Sequence, residues 1–340
     1  MKSKSARVKP ASFPERGAAP KVKTASRPGQ LPEKLLLLFF SLLLSIGLSE
    51  VALRMFFRDA FAQSEDERSL TYRYDAEFGW FPMANSKKLF TASRTITAAH
   101  NSQGFRGPEL VKSNKPRFIF LGDSLVWGFD VEASERFTEK LQAKHPEWAV
   151  YNFGVSGYGT DQEYLLLQKY FDEYAPSVVF LMICGDNDNE DNSWNFRGGY
   201  YKPWYTVEGG GLRVNGVPVP KAEKVFFSEH KFLCQSYAVR LFVRACCKFT
   251  TPPPRKQADP PTGVILLDMR RYVVDRRAFF AVGLQHSHPD LTKFLQDYKI
   301  PYVALDATNS SQIYPKFWNH WTPEGHAFVA EKIDELLRRR

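Results

Sequence analysis

Cysteine is scarce in this 340-residue chain. There are four, Cys184, Cys234, Cys246 and Cys247, with no C-x-x-C and no zinc-ligand spacing. Histidine is sparse too, and its one close pair, His286 and His288 in QHSHPD, reads as a solvated loop. The sequence thus implies neither a metal nor a cofactor. Cys184 ends a strongly apolar run and reads as a buried free thiol. A bridge from Cys234 to Cys246 or Cys247 stays open if the region lies outside the cytoplasm. Also missing is any stripe of Lys and Arg interleaved with aromatics, the mark of a nucleic-acid groove. The net charge of +9 belongs to a tail: residues 1–34 hold nine Lys/Arg against Glu15 and Glu33, which leaves only +2 for everything after them. No internal repeat is present.

What is abundant is organised in three zones. Residues 1–30, rich in Lys, Ser, Ala and Pro without hydrophobic period, predict a disordered basic tail. Leu35 to Ser49 then runs without a charge, and the stretch reaches membrane-spanning length if the helix continues through Glu50 and Arg54 to Phe57. Residues 31–57 are therefore expected to be a transmembrane anchor; a cleaved signal peptide with a long basic leader is the alternative. The basic tail should stay in the cytoplasm, which puts residues 58–340 on the outer, periplasmic or extracytoplasmic side of the inner (plasma) membrane as a single-pass protein.

From residue 117 the pattern becomes α/β. Arg117–Leu121, Trp148–Phe153, Ser177–Ile183, Ala278–Leu284 and Tyr302–Leu305 are short apolar runs expected of buried parallel strands. Helices are expected from Ser134 to Lys144, from a capping box at Thr160–Glu163 to Tyr174, over 262–274 and 290–298, and from Pro323 onward. Residues 190–261 interrupt this rhythm with a hairpin around Gly209-Gly210-Gly211, a helix over 229–249 and a proline-rich loop. Alternating strands and helices imply a parallel sheet covered on both faces, with an active site at the carboxyl ends of its strands.

Those strand ends carry the polar residues. Gly122-Asp123-Ser124-Leu125 follows the first strand, Asn152 to Gly159 the second and Gly185-Asp186-Asn187-Asp188 the third. His320-Trp321-Thr322-Pro323 precedes the last helix. A serine hydroxyl needs a base to take its proton, and imidazole is the usual base near neutral pH. Donors aimed at the developing oxyanion then stabilise the tetrahedral intermediate. Ser124 is the candidate nucleophile and His320 the candidate base. The backbone N–H groups of Ser124 and Gly154 and the amide of Asn187 are the candidate oxyanion hole. Asp123 and Asp188 read as loop braces, and His326 as a loop brace or helix-surface residue.

These blocks resemble the SGNH, or GDSL, hydrolase family. GDSL at 122–125 matches its first block, Gly154 its second-block glycine, Gly185 to Asp188 its third block and His320 its last-block histidine; NSQGFRG at 101–107 joins them as a lead-in. The resemblance implies a three-layer α/β/α sandwich with a parallel flavodoxin-like sheet, and ester hydrolysis or acyl transfer as the activity. Where that family usually carries an aspartate before the histidine, this chain has Phe317 and Trp318. Asn319 and Asp306 are therefore the candidates to orient the ring. The expected function is a serine esterase or deacylase acting on an O-acylated glycan or lipid. Acyl transfer to a polysaccharide is one alternative. The other is a catalytically weak, membrane-tethered carbohydrate-binding module using Tyr200, Tyr201, Trp204 and Tyr205 as a platform.

Overall fold

The computed structural model describes residues 30–61, 67–185, 187–307, 309–314 and 320–340, with the side chains of residues 30 and 31 left aside. The basic tail lies outside them. The chain divides into two compact units, 1–56 and 57–340.

In the first unit, Gln30–Phe56 is one helix. Its stretch Pro32–Phe56 contains an 18-residue window with a mean hydropathy of 2.2 and is long and apolar enough to cross a membrane. Twenty-five residues rise about 37 Å, more than a hydrocarbon core needs. Its mid-helix hydroxyls and its Glu50–Arg54 ion pair are satisfied internally. The hydroxyls of Ser41, Ser45 and Ser49 bond to backbone carbonyls one turn back, and Arg54 pairs with Glu50 at 2.6 Å.

The second unit is built on five parallel strands: β1 (Arg117–Gly122), β2 (Ala149–Gly154), β3 (Val178–Ile183), β4 (Phe279–Leu284) and β5 (Tyr302–Ala304). Their order across the sheet is β5-β4-β3-β1-β2, the flavodoxin-like arrangement. Side chains alternate between two cores because strand periodicity is two. Ile119, Leu121, Val179 and Leu181 pack on one side under α3 (Thr160–Tyr174) and α6 (Thr262–Asp275). Phe118, Phe120, Phe180 and Met182 pack on the other under α2 (Phe137–Lys144) and α8 (Pro323–Arg338). Helices on both faces make a three-layer sandwich.

Several local expectations shift. The first turn of α3 is capped at Gly159, whose N–H reaches Gln162 Oε1 at 3.3 Å, and Glu163 is buried instead of closing a capping box. The helix expected over 229–249 is two helices, α4 (Glu223–Glu229) and α5 (Tyr237–Thr250). Ser236 is the reason, since its hydroxyl accepts from the Val239 N–H and starts a new helix. The expected hairpin is present as Trp204–Glu208 paired with Gly211–Asn215. All four cysteines are free thiols, so the Cys234 bridge is not formed. Tyr200, Tyr201 and Tyr205 are buried, and Tyr205 packs on Tyr164, so these rings form part of the core and leave no open platform.

The lead-in before β1 braces the unit through NSQGFRG. Arg106 is buried, and its guanidinium donates to the carbonyls of Gly128 (2.5 Å), Trp127 (3.2 Å), Val131 (2.6 Å) and Thr97 (3.0 Å). Burial and the neighbouring Arg136 pull its pKa down to about 9, which leaves it charged at neutral pH.

Candidate active site

Ser124 opens α1 (Ser124–Trp127), a single turn directly after β1. Asp123 caps it, with Oδ1 accepting from the Leu125 N–H at 2.9 Å. At the other end Gly128 takes a left-handed φ of 87°, and the turn closes through its N–H to the Ser124 carbonyl. Arg106 holds the carbonyls that follow. A hydroxyl on so short a helix is thus fixed from both ends.

His320 arrives from the far end of the sequence. It pairs with Tyr314 in a two-residue antiparallel ribbon, and Thr322 caps α8 two residues later with Oγ1 accepting from the Gly325 N–H. The ring lies nearly parallel to that of Phe129, with centroids 4.3 Å apart. Its Nε2 is 2.8 Å from Ser124 Oγ. Both line a cavity of about 520 Å³ at the carboxyl ends of β1 and β3, together with Gly157, Asn187, Arg68 and Arg197. This is the crevice where the strand order reverses.

Asn187 also lines the cavity. Its Oδ1 is buried without a hydrogen-bond partner among the described residues. Gly154 sits elsewhere. It is the last residue of β2, and its N–H is taken by Asn152 Oδ1 at 2.9 Å. Its role is steric, since a Cβ there would stand 2.2 Å from the Trp127 nitrogen. Gly154 therefore lets α1 lie against β2. Gly157, three residues further into the loop, lines the cavity with φ of 81°. Among the described residues nothing accepts its N–H. Gly154, expected in the oxyanion hole, still pairs with Gly122 in the sheet, whereas Gly157 lies beyond it.

The two candidates for orienting the imidazole fare differently. Asn319 lies outside the described residues. Asp306 is exposed, and its carboxylate takes the N–H and hydroxyl of Ser287 at 2.6 and 2.7 Å. It braces the loop after β4 instead of the imidazole. Asp188 is a brace as expected, with Oδ2 accepting from the Cys184 N–H at 2.9 Å. His326 is buried beside Phe137, whose N–H it accepts at 3.3 Å, and burial pushes its pKa well below the usual histidine range. His288 caps α7 (Pro289–Asp297).

Behind the cavity lies a buried charged cluster that sequence alone did not disclose. Asp161, Glu163 and Asp188 are buried with Lys202, which pairs with Asp161. Arg197 contacts Asp191. Burial, reinforced by the neighbouring carboxylates, raises Glu163 and Asp188 well above the carboxylate range. Both oxygens of Glu163 lack hydrogen-bond partners among the described residues. Arg68 sits over the rings of Trp80 and Tyr200, 5.5 Å from each centroid. Arg68 and Arg197 come from segments remote in sequence, and no motif announced either.

No protein-family model matches the sequence, and no curated protein matches it. Solved structures do. A lipolytic protein of the G-D-S-L family from Veillonella parvula aligns over 66% of this chain and 99% of its own, at 14% identity and a TM-score of 0.39. The chain resembles the SGNH, or GDSL, hydrolases. Esterase EstA from Pseudoalteromonas aligns over 66% of this chain and 98% of its own, at 11% identity and a TM-score of 0.40. A two-domain esterase active on acetylated mannans aligns over 66% of this chain and 49% of its own, at 12% identity and a TM-score of 0.38.

Proposed function

We propose that this protein is a membrane-anchored serine esterase of SGNH type. The observation that carries the reading is the 2.8 Å approach of His320 Nε2 to Ser124 Oγ inside the strand-end cavity. Serine and imidazole in hydrogen-bond reach, facing open space, are the minimum for nucleophilic acyl chemistry.

The steps follow from the atoms. His320 Nε2 takes the hydroxyl proton as Ser124 Oγ attacks the ester carbonyl. The resulting oxyanion accepts from the Ser124 and Gly157 N–H groups and the Asn187 amide. Each such donor is commonly worth about 3–4 kcal/mol in the transition state. The protonated imidazole then gives its proton to the departing alkoxide, leaving an acyl-serine. Water, deprotonated by the same nitrogen, attacks that ester; the acid leaves and Ser124 recovers its proton. Phe129, stacked on the ring, limits its rotation.

The substrate class we favour is an O-acylated glycan or lipid outside the cytoplasm. Support comes from the apolar N-terminal helix and from the basic residues before it, which favour a cytoplasmic N-terminus. The test is turnover of p-nitrophenyl acetate by the purified full chain. Ser124→Ala and His320→Ala should each lower kcat by at least about 10³. A Ser124→Ala protein as active as the parent would overturn the reading.

A further inference from the structure

Helix α5 carries apolar residues on two faces about a quarter-turn apart. Val239, Val243 and Cys247, spaced four apart, pack inward on Phe226, Phe227 and Cys234. The other face presents Phe242, Cys246 and Phe249 to solvent, with Phe242 69% and Phe249 87% exposed. Phe232, in the turn before it, is 83% exposed. Lys231 and Lys248 are exposed at either end of this stripe. Three projecting phenylalanines among lysines are costly in water and suit a lipid surface.

The position of α5 in the fold says which surface. Arg240 donates to the Phe61 carbonyl at 2.5 Å and Arg244 to the Ala60 carbonyl at 3.3 Å. The rings of Tyr237 and Phe61 lie 5.4 Å apart. The segment gripped by α5 thus begins four residues after Phe56, the last residue of the apolar helix. Four residues span at most about 14 Å of chain. If the apolar helix crosses the bilayer, α5 is tethered at the point where the chain leaves it.

We propose that α5 lies flat on the membrane as an interfacial helix, with Phe232, Phe242 and Phe249 inserted at the headgroup boundary and Lys231 and Lys248 against anionic headgroups. The inference rests on the membrane-anchored reading above.

Cys246, in the middle of the stripe, provides the probe. The full chain, with its other cysteines changed to serine, is labelled there with a nitroxide and reconstituted into vesicles of phosphatidylcholine and phosphatidylglycerol. A second sample carries the label at Glu335→Cys on the exposed side of α8. The label at 246 should collide with oxygen and be shielded from a water-soluble nickel chelate, while the label at 335 should show the reverse. Phe242→Asp with Phe249→Asp should abolish the shielding at 246 while leaving the thermal melt of the folded unit in place. A label at 246 as open to nickel as that at 335 refutes the proposal, as does spin–spin broadening that shows a second copy covering the stripe. Washing the vesicles with alkaline carbonate separates the two readings. Release of the chain defeats the anchor itself, whereas retention with a water-exposed label defeats only the interfacial helix.

Discussion

Replacing Arg106 by methionine tests whether the lead-in holds the serine turn in place. The guanidinium is buried and supplies the short donors to Gly128 O and Val131 O, at 2.5 and 2.6 Å. Trp127 O keeps Arg136 Nη1 at 3.2 Å, so it is not left alone. Gly128 O would retain only the Val131 N–H at 3.4 Å. Val131 O is stranded and Gly128 O is left with one long bond, at a cost of about 1–3 kcal/mol each. The cation also stands 4.6 Å over the Trp127 ring, a desolvated contact worth about 2 kcal/mol. Relief of the buried charge offsets part of this sum, leaving a net loss of about 3–6 kcal/mol against a total stability of about 5–15. Urea unfolding followed by tryptophan fluorescence should show that loss. The kcat for p-nitrophenyl acetate should fall as well, because Gly128 closes the turn that carries Ser124. Arg106→Lys retains charge but not the planar fork, and should lose roughly half as much. Arg106→Met within about 1 kcal/mol of the parent and with its full kcat would show that the turn does not depend on this clamp.

Three further outcomes follow from the same geometry. Gly154→Ala drives a Cβ into the backbone of α1 and should cost stability by about 1–3 kcal/mol together with kcat, read by unfolding and turnover on one preparation; an unperturbed variant would contradict the close packing of β2 on α1. His326 is buried with its pKa pushed well below 6.5, so the unfolded chain binds a proton that the folded chain refuses, and stability must drop as pH falls below about 6.5. His326→Phe should remove about 1.4 kcal/mol per pH unit of that slope, measured as unfolding free energy between pH 4.5 and pH 7, values chosen about the ordinary histidine pKa; an unchanged slope would mean that the ring is protonated in the fold. Lys202→Met strands the Asp161 carboxylate in a fully buried pair and should cost about 3–5 kcal/mol, most of it regained when Asp161→Asn is added; equal stability of the single and double variants would dissolve the pair.

The order of strands and helices was legible in the amino-acid sequence because it is written locally. Apolar runs such as RFIFL and VVFLMI are buried on both faces wherever they pair, so their character as central strands needs no knowledge of the partner. The same holds for Ser124 and Asn187, which stand where strands end, for His320 just ahead of the last helix, and for the apolar run at 35–49. Tertiary structure alone decided the rest. Whether Gly154 or Gly157 faces the cavity depends on where β2 stops pairing with β1, and local composition cannot say. Asp306 was a candidate for the imidazole only until Ser287, nineteen residues earlier in the chain, was seen to take both of its oxygens. The aromatic insert looked like an exposed platform because period and composition do not distinguish a buried tyrosine cluster from an open one. Arg68, Arg197 and the carboxyls behind the serine loop meet only in the fold, since electrostatic neighbours are set by distance in space and carry no signature along the chain.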